Sequence, residues 1–144
     1  MQTFLPYKSF IQTAKCLDNR RLGKQRVEAK TILNILTGHA KLNKYGKISW
    51  SNHPAVKMWA GYENCLRFYL NIIINEWEVR GFRNTIQKEP VNILEIICPN
   101  WLGNEDFHNS HKSKLLEKDP EFYGKYGWNV KPGLNYIWPT KEGL

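Results

Sequence analysis

"AVKMWAGYENCLRFYLNIIINEWEVR", residues 55–80, carries the clearest pattern in the chain. Trp59, Tyr62, Leu66, Tyr69, Leu70, Ile73 and Trp77 recur at the i, i+3, i+4, i+7 spacing that puts apolar side chains on one face of an α-helix. The reading is a long central helix, stopped by Gly81. Other helices are expected around it. "YKSFIQTAKCL" (7–17) predicts a short helix capped by Ser9, and Asp18 or Asn19 can cap the next, with a core stripe of Leu22, Ala29, Ile32, Leu33 and Leu36. "NEDFHNSHKSKLLEK" (104–118) predicts a third, with acids in its first turn and lysines in its last, as the helix dipole favours.

The segments between lack a helical period. Residues 37–54 contain Gly38, Gly46 and Pro54 and read as a loop. Residues 89–101 hold an apolar run bracketed by Pro90 and Pro99, either a strand or a buried extended segment. The tail, 120–140, is rich in aromatics, Gly and Pro and is expected to lie over the core as an ordered coil. There are no repeats and no linker. The fold class is mostly α: a compact single-domain helical bundle, residues 1–144 forming one domain.

A net charge of +8 on 144 residues is the strongest bulk signal and favours a nucleic-acid partner. The longest apolar run, residues 70–74, is far too short to span a membrane, and "MQTFLPYKSF" lacks the basic start and apolar stretch of a signal peptide. A cytoplasmic location is expected, nucleoid-associated or phage-encoded in a host cytoplasm. Cys16, Cys65 and Cys98 read as reduced, mostly buried thiols. His108 and His111 share a helical face, but no Cys, Asp or Glu completes a ligand set at fixed spacing, so no metal and no cofactor is expected.

The cations gather in "DNRRLGKQRVEA" (18–29), at the start of the second helix. On a helix Arg21, Lys24, Gln25 and Glu28 share a flank, Asp18 lies one turn before Arg21, and Arg20, Arg26 and Lys30 fall elsewhere. A plain reading pairs Glu28 with Lys24 and solvates the rest. Against it, cations recur at Lys112, Lys114 and Lys118, and "FYGKYGW" interleaves Lys125 with aromatics, of which Tyr123 and Tyr126 are candidates for stacking on bases. Core cover is the simpler reading of Trp138.

Three blocks resemble the pyrimidine-dimer DNA glycosylase family of the endonuclease V type. "RRLGKQ" (20–25) is similar to that family's Arg-Glu-Leu-Pro-Arg helix head, and "NHPAVKMW…WEVRGF" (52–82) to its His followed by a long helix ending in Arg-Gly-Phe. "KLLEKDPEFYGKYG" (114–127) resembles its Arg-Leu-x-Glu-Lys segment and aromatic tail. The chain looks closer still to bacterial and phage proteins that share "MQTFLPY", "RLGKQRVEA" and "HPAVKMW". The resemblance implies a helical single domain whose N-terminal α-amino group attacks the anomeric carbon of the lesion nucleotide. The base is released through a Schiff base, and β-elimination can nick the strand. An α-amino group generally titrates near 8, so roughly a tenth is free base at neutral pH. A carboxylate stabilises the charged sugar and moves protons.

Two positions depart from the pattern. The family's catalytic glutamate falls on Arg21 here, which leaves Glu28, or else Asp18, as the working acid; Asp18 has an alternative task as helix cap. The large Gln2 stands where the family exposes a small Thr, so Met1 is expected to stay and to supply the amine. Carried over by the resemblance are Lys24, His53, Lys114 and Lys118. The expected catalytic set is therefore Glu28, Met1, His53, Arg21 and Asp18. The expected DNA-binding set is Arg20, Lys24, Gln25, Arg26, Lys112, Lys114, Lys118, Tyr123 and Lys125, with Gln25 and His53 orienting or reading the extruded nucleotide. The reading is a monomer acting on double-stranded DNA: a glycosylase, with or without AP-lyase activity, for a damaged or modified pyrimidine. The alternatives are a non-catalytic DNA-binding module on the same scaffold, a metal-free hydrolytic glycosylase for another base, and a helical protein-interaction module.

Overall fold

The computed structural model describes residues 1–139, and among these there are six α-helices and no strand. They are α1 (Phe10–Cys16), α2 (Asn19–Leu36), α3 (Pro54–Lys57), α4 (Glu63–Val79), α5 (Glu105–Lys118) and α6 (Pro120–Gly124). The central pair is α2 with α4; α1 packs on α4, α3 on α2, and α6 on α5. Ser9 caps α1, Asp18 caps α2 and Asn104 caps α5, each side chain accepting from a backbone N–H of the first turn.

The long central helix is a correction. The run 55–80 is two helices, α3 and α4, separated by a turn in which Gly61 has φ +86°. The apolar stripe crosses the break intact: Trp59, Leu66, Tyr69, Leu70 and Ile73 are all fully buried, so periodicity reported the buried face and missed the turn. At the far end Gly81, with φ +90°, follows the last turn of α4 as expected. α3 buries Ala55 and Val56 against the core.

Two other expectations fail locally. The apolar run in residues 89–101 is neither strand nor buried: Leu94 is 93% exposed, Ile93 70% and Ile97 69%, around a 3-10 turn at Ile93–Glu95. Glu89 anchors this segment from outside, by its ion pair to Lys30 and by backbone bonds to the Asn71 carboxamide, while Trp101 takes the core position. The tail does not begin as coil. Asp119 caps α6 by accepting from the Phe122 N–H, with Pro120 in the first turn. Beyond Gly124 it is coil to Pro139, and Thr140, the last residue of that expected coil, lies outside the described residues. The three cysteines are free thiols, Cys16 and Cys65 buried and Cys98 exposed. No helix of the described residues is long and apolar enough to cross a membrane.

Candidate active site

Residues 2–5 belong to no helix or strand and are buried, as is Pro6, where the chain bends. A buried segment with no neighbouring strand leaves its backbone N–H and C=O groups unpaired unless side chains serve them. Gln25 of α2 does so as a strand would: its Oε1 accepts from the Phe4 N–H at 2.9 Å and its Nε2 donates to the Gln2 carbonyl at 3.0 Å. The Tyr69 hydroxyl of α4 reaches both the Phe4 carbonyl (2.8 Å) and the Gln25 Oε1 (2.9 Å). From the other side α5 holds Leu5. His111 Nδ1 accepts the Leu5 N–H at 2.8 Å, and His108 Nδ1 lies 2.7 Å from the Leu5 carbonyl. Because His108 Nε2 accepts from the Gly103 N–H, its Nδ1 carries the proton and donates. Trp59 Nε1 donates to the Thr3 hydroxyl at 3.0 Å.

This clamp delivers the start of the chain to a carboxylate. The Gln2 N–H donates to Glu28 Oε2 at 2.8 Å. His53 stands beside the same group. Burial, reinforced by the positive charge of the Met1 amine, lowers its imidazole below the usual value, and the Glu28 charge pulls the other way. Its Nδ1 accepts from the Ala55 N–H and so caps α3, which leaves Nε2 to carry the proton of the neutral ring. Trp50 and Trp138 flank the ring edge-on, with centroids 5.7 and 5.8 Å away. Tyr136 packs on Trp138 and on His111, lies next to the buried Gln2 carboxamide, and feels the charges of Glu28 and Arg21; burial pushes its phenol up to about 12. Lys114 lies over the Tyr136 ring at 5.4 Å.

So Met1, Glu28 and His53 meet beside the middle of α2, and Arg21 and Lys114 adjoin them through Tyr136, which feels the Arg21 and Glu28 charges and lies under the Lys114 ammonium. Glu28 makes no ion pair with Lys24 among the described residues, which removes the plain reading of that acid. Other members of the expected set are elsewhere or occupied. Gln25 is only 2% exposed and wholly engaged, so it reads no nucleotide; its place at the edge of the apolar stripe was the sign of burial. Tyr123 is fully buried and cannot stack on a base. Its hydroxyl donates to the Asp18 carboxylate and accepts the Asp18 N–H, tying α6 to the α1–α2 junction. Asp18 itself is a cap and a tie. Burial raises its pKa, but hydrogen bonds from Tyr123 and Arg21 and the Arg21 charge outweigh that and hold it below the usual value. Arg26 points to another side, stacked 4.3 Å over Trp77 and bonded to Asn84. Lys112 covers Tyr7 and Trp128, and Lys125 covers Phe122 and Tyr126. Arg20, Lys24 and Lys118 are exposed.

Two cations, Arg20 and Arg21, occupy the first turn of α2, where the helix dipole disfavours positive charge. Asp18 offsets one of them through Arg21 Nη1 at 3.2 Å. The model of a family described as pyrimidine dimer DNA glycosylase matches residues 1–90, from the buried N-terminal segment through α4. This chain belongs to the pyrimidine dimer DNA glycosylase family. Neither the curated proteins nor the solved structures contain a match to it. The family-matched region holds Glu28, His53 and the whole N-terminal segment. The histidines that clamp Leu5, and Tyr136 and Trp138 that close over the site, come from beyond it.

The sequence reading missed Trp50, Tyr136 and Trp138 as neighbours of the site. For Trp50 a signal was available: the chain has no acid between Glu28 and Glu63, while Lys30, Lys41, Lys44, Lys47 and Lys57 fall there. The two tail aromatics gave none, because their approach to His53 and His111 depends on the path of a coil.

Proposed function

We propose that the chain, acting as one domain, is a DNA glycosylase that excises a damaged or modified pyrimidine, with the pyrimidine dimer as the substrate inherited from its family. The observation that carries this reading is the 2.8 Å hydrogen bond between Glu28 and the backbone nitrogen of residue 2, inside a clamp that fixes the start of the chain beside His53. The resemblance to the family implies an N-terminal amine as nucleophile with a carboxylate assisting it, and the start of this chain and Glu28 supply that pair. Here the acid comes from two turns further along α2 than the family's glutamate, whose position is Arg21.

In this mechanism the Met1 amine attacks C1′ of the lesion nucleotide and the glycosidic bond breaks. Glu28 takes the proton the amine sheds and passes it to the departing base, and the carboxylate so restored stabilises the cationic sugar adduct. The ring C1′–O4′ bond then opens to give a protonated Schiff base between the amine and C1′. The restored Glu28 carboxylate takes a C2′ proton as the 3′ phosphate departs, which constitutes the lyase step. Neutral His53, its Nε2–H free of the helix cap, donates a hydrogen bond to the leaving base or to the opened O4′, which takes its proton from water. Arg21, Lys24 and Lys114 hold phosphates of a duplex whose lesion nucleotide is extruded. A monomer in the cytoplasm suffices for this chemistry.

Borohydride trapping tests the reading, with duplexes bearing a pyrimidine dimer or an abasic site, on the wild type and Glu28→Gln. The expected result is a covalent adduct mapped to the Met1 amine, with yield falling about 100-fold or more in Glu28→Gln at unchanged DNA affinity. Base release without an adduct would replace the amine by an activated water. Salt-sensitive binding with neither adduct nor release would leave a DNA-binding module.

A further inference from the structure

Trp50 has φ +68°, the one positive φ outside glycine among the described residues. A bulky side chain adopts that conformation only under constraint, and such strain gathers where a side chain must be presented. Trp50 is also 58% exposed, an unusual state for an indole. Its carbonyl accepts the His53 N–H at 2.9 Å, and one edge of its ring meets the His53 ring. The strain therefore sits three residues from the candidate site and buries little.

The loop before it is basic and held in shape. Asn43 organises a tight turn: its Oδ1 accepts the N–H groups of Tyr45 and Lys47, its N–H donates to the Lys47 carbonyl, and its carbonyl accepts from Gly46. Lys41, Lys44 and Lys47 are exposed, and among the described residues none of them pairs with a carboxylate. Tyr45, under the Lys44 ammonium, is 73% exposed. Cations spaced along an ordered loop, with an exposed ring where the loop reaches the site, have the form of a single-strand or extruded-base platform.

We infer that residues 38–52 form a DNA-binding arm, in which Lys41, Lys44 and Lys47 contact phosphates and the Trp50 indole stacks on a base unstacked at the site. This rests on the glycosylase reading for the location of that base. Trp50 is a positioning residue: it holds the nucleotide that Glu28 and the amine act on, and takes no part in bond changes itself.

The test uses Trp50→Gly, Trp50→Phe and the triple lysine-to-alanine variant, with a duplex carrying an abasic-site analogue opposite 2-aminopurine. Glycine suits φ +68°, so Trp50→Gly is expected to melt no lower than wild type. Its DNA affinity should nevertheless fall about 5- to 150-fold, the loss of one base–aromatic stack, and the 2-aminopurine signal of the wild-type complex should disappear. Trp50→Phe should retain most of both. The triple variant should flatten the slope of log K against log salt by about 2.7, for three phosphates lost. A Trp50→Gly protein that binds and perturbs 2-aminopurine as wild type does, while wild type still forms the borohydride adduct, overturns the arm and leaves the glycosylase standing. A Trp50→Gly protein that is destabilised along with its binding makes Trp50 structural and also overturns it. Wild-type protein with no DNA affinity removes both readings together.

Discussion

Acidification should unfasten the N-terminal segment through His111, and the size of the effect follows from its surroundings. Its ring is fully buried, Nδ1 is occupied by the Leu5 N–H, and the proton on Nε2 has no partner. A second proton would have to replace the Leu5 hydrogen bond and put a charge in the core. Burial, with the nearby His108 second, lowers the imidazole from 6.5 to about 3. The unfolded chain takes up this proton below 6.5 and the folded chain does not, so stability is intact above 6.5 and is lost progressively down to about 3. The loss between 6.5 and 4.5 is on the order of 2 kcal/mol. His108, also lowered by burial, adds in the same direction. Asp18 does not contribute there, because its lowered carboxyl loses its stabilising effect only as pH falls below 3.8. Urea unfolding at about pH 7.5, 6.5, 5.5 and 4.5 measures the slope. His111→Asn, whose side chain can still accept the Leu5 N–H, should be less stable at neutral pH yet flatter across the window. A wild-type curve level from 6.5 to 4.5, or an Asn variant with the full slope, would refute the argument.

Gln25→Leu keeps the volume but orphans the Phe4 N–H, the Gln2 carbonyl and one acceptor of Tyr69; about 3–5 kcal/mol of stability should be lost in denaturant titrations, with adduct formation falling alongside. Tyr123→Phe removes the hydroxyl that serves both the carboxylate and the N–H of Asp18, and should cost about 1–3 kcal/mol without changing DNA affinity, which a filter-binding assay would show. Gly23→Ala should destabilise by about 1 kcal/mol even though alanine is the better helix former: its Cβ would meet the Trp77 ring at 3.0 Å, and that ring is held between Arg26 and Phe82.

The helices were legible because capping and periodicity are local. Ser9 and Asp18 signal their caps in the sequence, and the stripe on α2 and α4 is seen in the pattern that buries it. The break at Gly61 was not, since one glycine inside a periodic run is compatible with a continuous helix. At the site, Gln25 and Glu28 do share a flank, which faces residues 2–4, whereas Lys24, grouped with them and Arg21 in the sequence reading, is exposed. The task of Gln25 was misread because its partners, Gln2, Phe4 and Tyr69, are 23, 21 and 44 residues away. Asp18 and Tyr123, 105 residues apart, escaped for the same reason. Polar residues reveal their type in the sequence, but whether they meet DNA or the backbone is decided by long-range closure.

The bonds from Leu5 to His108 and His111 span 103 and 106 residues. During synthesis the first residues leave the ribosome well before α5 exists, and at about 5–20 residues per second the wait is on the order of 5–20 seconds. A nascent chain can pair residues 2–4 with Glu28, Gln25, Trp59 and Tyr69 once α4 is made, but Leu5 stays unheld until α5 follows. A truncated product ending before α5 would therefore keep one jaw of the clamp and lack the other, leaving the Leu5 N–H and carbonyl without partners.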